Sequence, residues 1–367
     1  MTMITRRDYI HGTLAGLSLA NLWTAPVGAA PDAGKAAKAP RGVIKLAELF
    51  KPQEDRKIKL AAQIGVKHAI VTVSGALSEV PRERYAETLG KIKADFQASG
   101  MTVAGVESHP VPAEKIKLGL AGRDEEIENY IAAIKALSQV GIDMVCYNFM
   151  AGLGWYRTRT DIPTRGGALA SEFDNRVAKQ QGVTEWGEIG EDKIWSNIEY
   201  FLKAVIPAAE KARVKMALHP DDPPVSPLRG IGRILTSAAS FRRVLNMVPS
   251  SVNGITFCQA NFKLMGEDIA ALAREWCREK KIFFIHFRDV RGTREHFAET
   301  FHDDGPTDMV KMLQVYGESG FDGPMRPDHA PTMEGEANDR PGYAMDGKVF
   351  AIGYMKGTMR ALRIPYE

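Results

Sequence analysis

From residue 42 onward the hydrophobic positions follow two alternating rhythms. Short runs dense in β-branched, aromatic and other apolar residues, at 43–46, 68–73, 102–107, 144–149, 215–219, 254–258, 283–287 and 323–326, predict eight buried strands. Between them apolar residues recur every three or four positions. Ile127, Ile131, Ile134 and Leu137 do so over 125–140, and Ile198, Phe201, Leu202 and Val205 over 193–212. That period predicts helices with one packed face. Strand and helix alternating in this way predict a parallel sheet closed into a (β/α)8 TIM barrel, one domain spanning 42–367. The rhythm fails at 150–192, which is rich in Gly, Arg, Thr and Trp. An insertion of that length after the fourth strand predicts a lid or binding segment.

Composition bounds the function. The 367 residues are 44% hydrophobic and 25% charged, enough for a large core in a globular protein. A net charge of +3 without a long run of one sign removes the electrostatic case for nucleic acid or a membrane surface, and neither partner is expected. Three widely spaced cysteines define no disulfide framework. Cys146 and Cys258 fall at strand ends, whereas Cys277 lies in a helical stretch and reads as a small buried side chain.

The first forty residues differ from the rest. Arg6-Arg7 precede Tyr9-Ile10 and a modestly apolar stretch, the pattern of a twin-arginine signal over 1–30 with cleavage near Val27-Gly28-Ala29. Residues 31–41 would then form a flexible mature N-terminus. The expected location is periplasmic, or cytoplasmic if the segment is not a signal. Asn21, Trp23 and Pro26 interrupt the apolar stretch and make it a poor membrane span.

Candidate chemistry gathers at the strand ends, where barrel active sites are built. His219, Cys258, His286 and Asp328 each close a predicted strand and each can bind a metal. Two imidazoles, a thiolate and a carboxylate are too rich in nitrogen and sulfur for calcium and suit Mn²⁺, Fe²⁺, Co²⁺ or Zn²⁺. A metal taking five or six ligands leaves positions for a substrate, so Mn²⁺ or Fe²⁺ is the expected cofactor. The same rim carries Glu107, His109, Asn148, Arg288, Arg326 and His329. Glu107, His109, Asn148 and Arg288 are candidate substrate-binding residues. Asp221 and Asp222 either shape the Pro-Asp-Asp-Pro-Pro turn or orient the ligands.

The segments CYNFM at 146–150, LHPDDPP at 218–224, TFCQ at 256–259, IHFRDV at 285–290, RPDHA at 326–330 and the closing 342–357 resemble the metal-dependent D-mannonate dehydratases of the xylose-isomerase-like barrels. The resemblance covers most of the chain from about residue 100. It implies His219, Cys258, His286 and Asp328 as metal ligands, and His329 and Tyr343 as proton-transfer groups. The reaction it implies is loss of water from D-mannonate to give 2-keto-3-deoxy-D-gluconate. From reference pKa values of about 10 and 6.5, Tyr343 is expected as base and His329 as acid, with the reverse as the alternative. The expected partners are a small sugar acid and at most further copies of the same chain.

Two strand ends depart from that family's pattern. The first reads Lys45-Leu46-Ala47-Glu48-Leu49-Phe50 in place of an Arg-Trp-Tyr-Gly-type segment, and the second reads Thr72-Val73-Ser74-Gly75-Ala76 without a His-Asp-Ile-Pro-like continuation. The lid carries Gly152-Leu153-Gly154-Trp155-Tyr156 before Arg157. Two further readings follow: the same metal chemistry on another sugar or sugar acid, as epimerase, isomerase or lyase, and an exported sugar-acid-binding protein without turnover.

Overall fold

Eight of the strands close on themselves. In the computed structural model, which describes residues 42–367, they are β1 (Lys45–Phe50), β2 (His68–Val71), β3 (Thr102–Glu107), β4 (Met144–Tyr147), β7 (Lys215–Leu218), β8 (Asn253–Cys258), β9 (Ile282–Phe287) and β12 (Pro324–Pro327). All neighbours pair in parallel, and β12 returns to β1 through Lys45 opposite Pro324. The four remaining strands are β5 (Arg159–Pro163), β6 (Leu169–Asp174), β10 (Val290–Thr293) and β11 (His296–Glu299). The segment read as an export signal and mature N-terminus lies outside the described residues.

Helices cover the barrel because their apolar stripes match its outer surface. In the helix Glu191–Ala212 the buried apolar positions are Ile194, Ile198, Phe201, Leu202, Val205, Ile206 and Ala209, one continuous face. Burying such side chains contributes about 1.5–3 kcal/mol each. A second apolar cluster, with Ala47, Leu49, Ile70, Met144, Cys146, Ala217 and Phe284, comes from the strands themselves, and Tyr343 packs against it. Among the described residues no helix is long and apolar enough to cross a membrane.

Two expectations are corrected. The first strand is Lys45–Phe50 rather than 43–46: Val43 is exposed, and the run continues through a buried charge, Glu48, whose Oε1 lies 3.2 Å from Lys57 Nζ. A charged residue in mid-strand ended the apolar run in the sequence without ending the strand. The insertion at 150–192 is also more ordered than its irregular composition suggested. Its strands β5 and β6 pair antiparallel and join the hairpin β10–β11, contributed by a second insertion after β9. Phe173 and Phe297 sit opposite each other in this four-stranded sheet, their ring centroids 5.6 Å apart. The sheet order is β10-β11-β6-β5.

Candidate metal and proton-transfer site

At the C-terminal ends of the barrel strands, donor atoms of His219, Cys258, His286 and Asp328 lie within 4.8 Å of one another, all on buried residues. His219 Nδ1 donates to the Pro220 carbonyl at 2.7 Å, which leaves Nε2 with a free lone pair. That Nε2 is 3.1 Å from His286 Nδ1, and His286 Nδ1 is 3.6 Å from Asp328 Oδ2. Cys258 Sγ completes the group 4.0 Å from Asp328 Oδ2. Donors bound at about 2.0–2.3 Å to one small cation stand roughly 3–4 Å from each other, so these spacings fit a divalent metal. The chemistry of the set fits as well, since borderline nitrogen and sulfur donors with one carboxylate suit first-row transition metals.

Electrostatics agree with cation binding. Burial pushes the His219 imidazole down to about 3, helped by the neighbouring His286, so it is neutral, the form that a metal donor requires. Burial and the Arg326 guanidinium oppose a charge on His286, yet the Glu107 and Asp328 carboxylates raise it well above the usual imidazole range. The cluster attracts positive charge. Burial opposes ionisation of Asp328, but His329, Arg326 and His286 hold it well below the usual carboxylate range.

Beside this cluster the Gly-Tyr segment folds back over the end of β12. Gly342 has φ of +84°, and a Cβ there would come within 3.1 Å of the His329 side chain, so only glycine lets the backbone pass this close. Tyr343 is thereby placed with its hydroxyl 3.0 Å from His329 Nε2, the two rings meeting edge to face. On the other side His329 Nδ1 lies 3.0 Å from Glu299 Oε1 and 2.9 Å from Arg288 Nη1. The two contacts require opposite proton positions. Arg288 Nη1 also has Asp222 Oδ2 and Asp328 Oδ2 at 2.9 Å as acceptors, whereas Glu299 is a carboxylate facing a ring nitrogen. The proton therefore belongs on Nδ1, donated to Glu299, and Nε2 accepts from the tyrosine hydroxyl.

A buried charge lattice fixes these groups. Arg157, from the insertion, donates to both oxygens of Asp222, at 2.7 and 3.0 Å, and to Glu299 at 2.6 Å. Arg288 joins Asp222, Asp328 and Asn261, and Arg326 joins Glu107 and Asp328. Burial acts against the charge of Glu299, but Arg288, His329 and Arg157 hold it down at about 2.

The cavity above the cluster, about 190 Å³, is lined by Glu107, Asn148, Trp155, Arg288, His329 and Tyr343 among others. Asn148 Oδ1 accepts from Met150 N at 3.2 Å, and the Trp155 ring lies 5.2 Å from that of His329. Trp155 Nε1 is buried and has no hydrogen-bond partner among the described residues. His109 does not line this cavity. Its Nε2 bonds the Asn148 carbonyl at 2.8 Å, its ring stacks edge-on against Tyr130, and burial pushes it down to about 3. The structure thus brings together nine of the ten residues singled out from sequence. Glu299, Arg157 and Trp155 were not among them; each reaches the site from an insertion, where no barrel rhythm marks it.

The fold and site define a xylose-isomerase-like barrel with a buried His-Cys-His-Asp cluster and a histidine–tyrosine pair beside it. The sequence profile of the D-mannonate dehydratase (UxuA) family matches residues 50–186 and 175–366, and the chain belongs to that family. It is 35% identical to a mannonate dehydratase of Streptococcus uberis over 309 residues, 77% of this chain and 87% of the relative. The crystal structure of mannonate dehydratase from Streptococcus suis serotype 2 superposes with a TM-score of 0.77 at 30% identity, covering 88% of this chain and 95% of that one. A xylose isomerase domain protein from Planctomyces limnophilus, at 13% identity and a TM-score of 0.56 over 88% of this chain and 99% of its own, shares the fold.

Proposed function

We propose that this chain removes water from D-mannonate to give 2-keto-3-deoxy-D-gluconate, using Mn²⁺ or Fe²⁺ held by His219, Cys258, His286 and Asp328. The observation that carries this reading is the placement of the His329–Tyr343 pair, in hydrogen-bond contact at 3.0 Å, against a four-donor metal cluster in a chain of this family. When bound, the cation supplies a Lewis acid for the carboxylate and an adjacent hydroxyl, which lowers the cost of taking the weakly acidic C2 proton.

The chain's own residues divide the proton work. With Nδ1–H donated to Glu299, His329 Nε2 is the lone pair available to take the C2 proton. Burial, with the Asp328 charge, raises the Tyr343 phenol above its ordinary value, so it keeps its proton and can give it to the departing 3-hydroxyl. This reverses the allocation expected from reference pKa values. The C2–H and C3–O bonds break, water leaves, and the resulting enol becomes the 2-keto product. The Nε2···Oη contact then lets the imidazolium return a proton to the phenolate, and the pair is reset. Arg288 holds a fixed positive charge near the reacting end, with Nη1 engaged by Asp222 and Asp328 and Nη2 by Asn261.

The altered ends of β1 and β2 favoured a different substrate, but the cavity is lined from Glu107 onward and takes no residue from either strand. That supports mannonate. Incubation of Mn²⁺- or Fe²⁺-loaded protein with D-mannonate should yield the 2-keto-3-deoxy acid; no product with either metal sinks the reading, and a panel of other aldonates and ketoses then identifies the substrate. Periplasmic export through Arg6-Arg7 is proposed alongside, and fractionation of cells carrying an Arg6→Lys, Arg7→Lys variant tests it.

A further inference from the structure

His286 presents one nitrogen to the donor cluster and the other away from it. Nδ1 faces His219 and Asp328, while Nε2 is buried, makes no well-formed hydrogen bond among the described residues, and lies 3.4 Å from Glu107 Oε2. An imidazole that offers Nδ1 to a cation must carry its proton on Nε2, and that proton needs an acceptor. Glu107 is the carboxylate in place. It is itself fixed, because Arg326 donates through Nε to Oε2 at 2.8 Å and through Nη2 to Oε1. The same Nη2 lies 2.9 Å from Asp328 Oδ1. One guanidinium therefore sets both carboxylates that flank His286.

Glu107, Cys146 and His286 also lie close enough to suggest a second cation site. Arg326 argues against it: a guanidinium already bonds both oxygens of Glu107, and Cys146 Sγ accepts from Thr256 Oγ1 at 3.1 Å. A further cation there would meet a fixed positive charge.

We propose that Glu107 is a positioning residue for the metal site: it accepts the Nε2 proton of His286 and holds the ring with Nδ1 aimed at the cation, and Arg326 holds Glu107. This role rests on the metal reading given above. Removal of such a carboxylate typically weakens metal binding about 10–100-fold.

The test uses the full chain with Mn²⁺ and Co²⁺ as probes and chelator competition to measure Kd. Glu107→Gln keeps the shape and an acceptor for Arg326; it should weaken both metals about tenfold, and Glu107→Ala up to about a hundredfold. In the Co²⁺ form the d–d bands should shift, because His286 is no longer held, while the Cys258 thiolate charge-transfer band persists. Thermal melts of the metal-free proteins separate this from general damage. A Glu107→Gln protein that melts like wild type and matches it in both Kd values and in the Co²⁺ spectrum overturns the role. So does a loss confined to Glu107→Ala and accompanied by a collapsed melt. A wild type that takes up neither metal overturns the metal reading and this role with it.

Discussion

Glu299 Oε1 lies 3.0 Å from His329 Nδ1, although the two residues belong to separate layers: Glu299 ends β11 of the four-stranded sheet and His329 follows barrel strand β12. The second insertion thus determines the tautomer of a residue on the barrel rim. With Glu299 replaced by Ala, Nδ1 is left to accept from Arg288 and the proton moves to Nε2, so that the base proposed above loses its lone pair. Glu299→Ala should lower kcat about a hundredfold, within the range for removing acid–base assistance, and change KM little. Glu299→Gln retains an acceptor and should fall between the two. Steady-state kinetics on metal-loaded protein decide it, and a kcat within twofold of wild type for Glu299→Ala defeats the tautomer argument.

Arg157 makes a contrasting case in which stability is the readout. It is wholly buried at the side chain between Asp222 and Glu299 and stacks over the rings of Trp155, at 4.7 Å, and Phe297, at 4.8 Å. Arg157→Met keeps most of the volume but removes three hydrogen bonds from two buried carboxylates, leaving Asp222 to Arg288 and Glu299 to His329, which costs about 3–5 kcal/mol. The exposed pair Arg159–Asp161, at 3.4 Å, is the control, and Arg159→Ala should change stability by less than about 1 kcal/mol. Urea denaturation of both variants checks the contrast. Equal effects would mean that the buried lattice contributes no more than a surface pair.

The barrel and the grouping of four donor side chains at its rim were legible in the sequence because both follow a period. Strands repeat, and His219, Cys258, His286 and Asp328 each occupy the same place in a repeat. Glu48 shows the limit of that logic, since a charge buried against Lys57 looks like a strand end until the partner is seen. The sheet over the barrel was not legible at all. Its two local hairpins, β5–β6 and β10–β11, join through a pairing that spans more than a hundred residues, Phe173 with Phe297, and such pairing leaves no local pattern. Glu299 and Arg157 inherit that obscurity, and the direction of proton transfer does too. Reference pKa values gave Tyr343 the role of base, whereas its burial and the hydrogen-bond chain to Glu299 support the reverse allocation proposed above.

Metal removal should register in both composition and melting. A cation that binds only the folded chain stabilises it by about 4 kcal/mol at a thousandfold excess over Kd, so dialysis against a chelator should lower Tm by several degrees, and Mn²⁺ should restore it. Cys258→Ala removes one of the four donors and should abolish bound metal in elemental analysis. Full occupancy in that variant would exclude Cys258 as a ligand. Zinc in place of manganese or iron in the purified protein would redirect the cofactor assignment without touching the ligand set.

Lys348 predicts a pH dependence of the same sign as that of an ion-paired carboxylate but in an alkaline window. Its side chain is fully buried, with Nζ donating to the Pro327 carbonyl at 3.0 Å, and burial pushes its amine down to about 8 from the ordinary 10.5, although Glu48 acts to raise it. Between those two values the unfolded chain binds the proton and the folded chain does not. Stability therefore rises with pH across that window, by about 3 kcal/mol for a shift of this size. Below the window the folded protein carries the whole cost of a buried ammonium. Lys348→Met removes the titration while keeping the volume, so wild type measured relative to Lys348→Met should gain stability steadily as the pH is raised from 7.5 to about 10. The comparison cancels other groups that titrate in both proteins, such as buried tyrosines. Urea denaturation at half-unit steps of pH supplies the curve. A difference that stays flat across this window would show that the amine titrates as in the unfolded chain, and a falling difference would show that Glu48 outweighs burial.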